Sequence, residues 1–206
     1  MEHWLVGCAV GGHRYGPFVE FQEVVQRRRM VRQFEPDPVP QRSLQRILRN
    51  AVTGPSAGFC QGQAFLVLTG AELPRFWAVV GEATYPSAQT APTVIVPMSS
   101  KRMYLEQYAR QDPGWADETL WPVPFWHIDA GMAVLLILLT VVDEGLAAVY
   151  FGIMPRELGP LRATFNIPAD HQPIGAIAIG YGAEADRADL AARRRPLTEM
   201  IHYGQW

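Results

Sequence analysis

Between Asp129 and Asp143 the chain reads AGMAVLLILLTVV, residues 130–142, a run without a charge. No other stretch restricts the fold as much, because a helix that is apolar all round needs cover on every side. As a helix the run spans ~20 Å, short of the ~30 Å hydrocarbon core of a bilayer, within a longer helix expected from about Trp126 to near Gly145. The expectation is a helix buried at the centre of a soluble domain, or at the seam between two subunits, rather than a membrane span. With 206 residues, 49% of them apolar, the chain can bury such a core in one domain.

On either side of that helix the apolar residues switch between helical and strand spacing. Phe21, Val24 and Val25 share one face of a short helix. After Pro40, which suits a first helical turn, Leu44, Ile47, Leu48, Ala51 and Val52 repeat at i, i+3, i+4, i+7 and i+8. AFLVLTG (64–70), PTVIVPM (92–98), LAAVYFG (146–152) and PIGAIAIGYG (173–182) read as strands, and PRFWAVVGE (74–82), residues 101–110 and PRELGPLRATF (155–165) as helices. Helices interleaved with strands around one apolar helix give an α+β or α/β sandwich. Residues 111–125, QDPGWADETLWPVPF, carry prolines and bulky aromatics without periodicity. That pattern suits a loop fixed by its own side chains, in the role of a lid.

Charge is local. Lys and Arg number 18 against 20 Asp and Glu, a net −2, so no general positive field is available to hold a nucleic acid. Lys101 is the sole lysine, and seven arginines fall in two clusters, Arg27, Arg28, Arg29 and Arg32, then Arg193, Arg194 and Arg195. Two short clusters of guanidinium forks suit a small anion such as a phosphate. Cys8 and Cys60 give neither a disulfide framework nor a metal spacing, which points to a reducing, cytoplasmic compartment, and the five histidines form no metal set. The opening MEHWLVGCAVGGHRYGP has no basic n-region; residues 1–17 read as a loosely ordered arm and 18–206 as the domain.

GPSAGFCQGQAF, residues 54–65, joins the second helix to the first strand through small residues whose backbone can approach a flat ligand. It holds neither GxGxxG nor GxxxxGK[ST], so no Rossmann or P-loop phosphate site is indicated.

The order RRMVRQF, then PVP, then an amphipathic helix, then PSAGFCQ resembles the nitroreductase family of FMN-dependent oxidoreductases, from about Phe21 to the C-terminus. The resemblance implies a nitroreductase-like α/β sandwich with a central sheet around the long apolar helix. It also implies an intertwined homodimer with two FMN sites, each drawing on both chains. Carried over residue by residue, it puts Arg28, Arg29 and Arg32 on the phosphate and ribityl chain, with Met30 where the family most often has Ser. Pro55, Ser56, Ala57, Gly58 and Gln61 match the loop that meets the ring; Phe59 stands where Asn is usual, and Gly62-Gln63 replaces Pro-Trp. Phe151 and Gly152 match the turn along the flavin, with Ile153 where a second Gly is common, and Arg194 matches the tail residue that returns to the phosphate. No side chain is assigned as catalyst, because the flavin N5 carries the chemistry. His127 suits a packing role and Cys60 that of a small packed residue. The implied function is hydride transfer from NAD(P)H through FMN to an organic acceptor such as a nitroaromatic or quinone. The alternative within the same fold is a protein that binds or stores a flavin or deazaflavin without turnover.

Overall fold

The computed structural model describes residues 20–81, 86–183 and 194–206; the arm expected over residues 1–17 lies outside them. In chain order the elements are α1 (Phe21–Arg27), α2 (Gln41–Ala51), β1 (Gln63–Thr69), α3 (Glu72–Trp77), β2 (Thr93–Ser99), α4 (Lys101–Ala109), α5 (Phe125–Asp143), β3 (Ala147–Phe151), α6 (Pro155–Phe165), β4 (Gln172–Pro173) and β5 (Ala176–Gly180). Each helix and strand read from periodicity has a counterpart, α3 covering 72–77 in place of the expected 74–82, and Pro40 stands at the N-cap of α2.

The strands form one antiparallel sheet in the order β1-β2-β5-β3, with β4 beside β2. Alternate residues of a strand face opposite sides. On one side Ile95, Ile177 and Ile179 meet Leu44 and Ile47 of α2 and Val134, Ile137 and Val141 of α5. On the other, Val94, Val96 and Ala178 meet Phe76 of α3 and Leu161 of α6. Two helical layers enclose the sheet, an α+β sandwich, which is why β2 and β5 read as continuous apolar runs.

The uncharged run is the inner part of the longer helix expected from about Trp126 to near Gly145. α5 has 19 residues, about 28 Å, so the length argument against a membrane span does not hold. Its place in the core rests on packing instead: Ala130, Ala133, Val134, Ile137, Leu138 and Val141 are buried against α2 and the sheet. α2 runs antiparallel to it, with Arg46 ion-paired to Asp143 and to Glu144 (2.7 Å) at one end and Gly54 against Ala133 nearer the other. A second face stays open, where Ile128, Met132 and Leu135 at i, i+4 and i+7 are 40%, 38% and 50% exposed.

The strand expected over residues 173–182 is divided. Gly175 has φ +150°, and a Cβ there would lie 2.5 Å from the ring of Tyr150, whose hydroxyl donates to the Ile174 carbonyl. The chain steps aside at this glycine, leaving β4 and β5 as separate pieces on either side of it.

Ile137 is fully buried between α5 and the sheet. Ile137→Ala is expected to lower the unfolding free energy by about 2–5 kcal/mol, read as a lower urea midpoint with an unchanged slope.

Candidate active site

After α1 the chain becomes extended and lies along β3. Met30 forms a parallel bridge with Ala148, and the Val31 N–H donates to the Ala148 carbonyl at 2.9 Å. β3 ends the β1-β2-β5-β3 order, and such a strand presents unpaired backbone groups that need a partner. This segment supplies one and in doing so brings Arg28, Arg29 and Arg32, each half-buried, to the edge. An Arg32 Nη donates to the Met30 carbonyl at 3.3 Å. Met30 turns inward, packing against both core clusters while its Sδ accepts the Tyr150 N–H at 3.4 Å. Arg27, just before Arg28, is exposed and ion-paired to Glu23 within α1. β3 closes with Phe151, its ring stacked on Trp77 at 5.9 Å, and then Gly152, where a Cβ would meet only open space.

The loop 55–61 is held by a different set of contacts. Asp129, 3% exposed in the second turn of α5, accepts both the Ala57 N–H (2.8 Å) and the Tyr104 O–H (2.7 Å) on one carboxylate oxygen. The Ser56 Oγ accepts the Gln61 N–H at 3.0 Å. Gly58, Phe59 and Gln61 all have left-handed backbones, φ +58°, +54° and +50°. A Cβ on Gly58 would lie 2.7 Å from the Tyr108 ring, and one on Gly62 2.5 Å from the Tyr104 ring. The chain's own tyrosines therefore demand both glycines, before any ligand is considered. Burial and then the charge of Asp129 push the Cys60 thiol up from its ordinary range, so it is an inert packed residue, as expected. Burial first, then the hydrogen bond and charge of Asp129, push the Tyr104 phenol up as well, so it stays a donor at any working pH.

Sequence reasoning passed over Asp129 and Tyr104. The available signal was a lone carboxylate next to an uncharged helical run, which had served only to mark where the run begins.

Residues 111–124 follow the expectation of a loop fixed by its side chains. Asp112 and Asp117 accept the N–H groups of Gly114 and Thr119, each at 2.9 Å. Trp121 packs among Tyr108, Trp115 and Trp126 with ring centroids 4.8–5.8 Å apart.

The sheet sets where the two motifs stand. Leu66 pairs with Val96, Ile95 with Ile177, and Phe151 with Ala176, so the start of β1 and the end of β3 lie at the same end of the sheet. They are three strands apart, about 14 Å. Arg28, Arg29, Met30, Arg32, Phe151 and Gly152 thus gather along one lateral edge, whereas Pro55, Ser56, Ala57, Gly58 and Gln61 stand at the other. Arg194 is exposed, and the hydrogen bonds of the tail 194–206 to described residues stay within the tail. Arg193 lies outside the described residues.

A cavity of about 630 Å³ opens at the same end of the sheet, lined among others by Ser99, Arg102, Trp126, His127 and Asp170. His127 has a definite partner, its Nδ1 2.9 Å from the Ser99 Oγ. Desolvation and the nearby Lys101 hold this imidazole below its ordinary range, which favours its neutral form beside the Ser99 hydroxyl.

With this geometry in view, a sequence profile described as the nitroreductase family matches residues 25–89 and 81–181. A protein of Methanothermobacter thermautotrophicus, described as a candidate NADH dehydrogenase/NAD(P)H nitroreductase, is 28% identical over 165 residues, 79% of this chain and 77% of that one. One of the same description from Archaeoglobus fulgidus is 26% identical over 192 residues, covering 91% and 99%. Among solved structures, a nitroreductase family protein from Clostridium difficile superimposes with a TM-score of 0.73 at 20% identity, covering 91% of this chain and 100% of that one. A candidate nitroreductase in complex with FMN, from Exiguobacterium sibiricum, gives 0.70 at 19% identity, covering 90% and 97%.

Asp129→Ala would leave a part-buried amide and a buried phenol without their acceptor, a loss of roughly 2–6 kcal/mol at about 1–3 per group. Asp129→Asn keeps an oxygen in place and is expected to cost less. Hydrogen exchange at the Ala57 amide checks the assignment: it should quicken strongly in the Ala variant and only slightly in the Asn variant.

Proposed function

The chain belongs to the nitroreductase family, and from that premise we propose that it is an FMN-dependent oxidoreductase that works as a cytoplasmic homodimer, oxidising NAD(P)H and reducing a small organic acceptor such as a nitroaromatic or quinone. The observation that carries this reading is the arginine segment bridged to β3, the strand that ends at the bare Gly152 turn.

These residues fit FMN. Half-buried guanidinium groups beside an edge strand are the donors that a phosphate requires, and a glycine with open space where its Cβ would be lets a flat ring lie against backbone. Bound there, the flavin would supply hydride acceptance at N5 from NAD(P)H and onward transfer to the acceptor. Arg28, Arg29 and Arg32 neutralise the phosphate, and Arg194 adds a further guanidinium from the tail. Met30, its thioether taken up by the Tyr150 amide, offers the ribityl chain its backbone. The backbone of Phe151 and Gly152 supports the ring, and the aromatic loop 111–124 limits access of water.

Two edges about 14 Å apart make a single site if a second copy brings its own loop 55–61 to the first copy's arginines. The open face of α5 supports that pairing. Ile128, Met132 and Leu135, with Phe21 and Val25 on α1, form apolar surface that the described chain leaves exposed, and Leu197, Met200, Ile201, Tyr203 and Trp206 add an apolar tail.

The purified protein is expected to be yellow, and its flavin absorbance should bleach when NADH or NADPH is added without oxygen. A yellow protein indifferent to both nucleotides would be a flavin or deazaflavin carrier, and a colourless one that takes up no FMN would overturn the reading. Leu135→Glu sets a charge on the α5 face; light scattering should show the variant as a monomer of about half the wild-type mass, with FMN affinity lost alongside.

If Arg28 and Arg194 grip the same phosphate, replacing either by Ala should weaken FMN binding about ten- to a hundredfold, at ~1.5–3 kcal/mol per charge-assisted contact. The double variant should depart from additivity by about 0.5 kcal/mol or more, whereas Arg27→Ala should change little, since that side chain is committed to Glu23. Fluorescence quenching of FMN titrated with each variant measures all of these.

A further inference from the structure

We infer that Phe59 is a specificity-determining residue: the loop 55–61 is a rigid arm that presents this phenyl ring to the flavin site completed by a second copy, where it selects planar aromatic acceptors. The inference rests on the reading of the site as an FMN site shared between two chains.

Folding gives no reason for a phenylalanine at this position. Its backbone is left-handed, φ +54°, a conformation that suits Gly or Asn and strains a bulky residue. Its side chain is 76% exposed, so it gains little from burial. Yet the backbone around it is tightly held. The Phe59 N–H donates to the Ser56 carbonyl at 2.9 Å, and Cys60 beside it is buried. Asp129 fixes Ala57 from below, and the Tyr108 ring closes on Gly58. A strained, exposed aromatic on a loop held by hydrogen bonds and close contacts suits a binding surface and is what a stability optimum would discard.

Phe59 also stands at the start-of-β1 end of the sheet, the end at which Gly152 closes β3. In a pairing that brings the loop of a second copy to that turn, the exposed phenyl is the side chain the loop has free to offer. The ring has no hydrogen-bonding group to offer, so what it recognises is flat and apolar: a fused-ring quinone or nitroarene stacks on it, and a small or aliphatic acceptor gains nothing.

Phe59→Gly separates a binding role from a structural one, because glycine relieves the backbone while removing the ring. The full-length protein stripped of flavin should melt about 2–4 °C higher than wild type. With FMN restored to saturation, the KM for menadione, a two-ring quinone, should rise about three- to tenfold with kcat little changed, and the KM for 1,4-benzoquinone should move less than about twofold. Phe59→Leu, which keeps bulk without an aromatic face, should resemble the Gly variant toward menadione without the gain in melting temperature. A Gly variant that melts lower than wild type shows the phenyl to be structural and overturns the inference, as does one whose KM for menadione is unchanged or moves in step with that for benzoquinone. Those results are read on a yellow wild-type protein; a colourless wild type would instead overturn the functional reading on which the inference stands.

Discussion

A helix apolar on all sides cannot be left standing in water, and the rest of this fold is organised by what covers α5. The sheet takes one face through Ile95, Ile177 and Ile179, and α2 runs back along the flank with Leu44 and Ile47. Charges appear only where the helix emerges: Asp143 and, just beyond it, Glu144 meet Arg46 at one end, and Asp129 meets the loop 55–61 at the other. The helix thus works as a strut. Its middle is held by burial, and its ends are tied to α2 and to the loop before β1.

The elements were legible because their periodicity reports burial directly. Strands covered on both faces read as uninterrupted apolar runs, and α2, covered on one face, shows a stripe. What local pattern could not give were features decided by a distant residue. Nothing near Gly175 announces that the Tyr150 ring will lie over it and divide the strand. Asp129 reads as the boundary of an apolar run until its partners Ala57 and Tyr104 are placed beside it, 72 and 25 residues away in sequence. The helix that runs past this uncharged stretch at both ends was legible from about Trp126, and Pro124 stands at its N-cap.

The site follows the same rule. Each predicted position has a definite place, and the arginine group and the Gly152 turn do share an edge. That they share it with each other and not with the loop depends on strand order, since β1 and β3 are at opposite margins of the sheet although both open toward the same end. Order in a sheet is a long-range property, and RRMVRQF and PSAGFCQ carry no trace of it. Met30 shows the converse. Its thioether answers a backbone amide of β3, so the side chain at this position serves the joint between the arginine segment and the sheet.

Strand order has a consequence for inheritance. If the two halves of each site come from different chains, a protomer with ruined arginines and a protomer with a ruined loop are not equivalent defects. Mixed in one dimer, they place both lesions in the same site and leave the other site whole. Two alleles, each inactive as a homodimer, would then restore up to half of the activity together, and pairs of lesions within the same motif would not. Genetic complementation would map the motifs onto separate edges without any need to see the molecule.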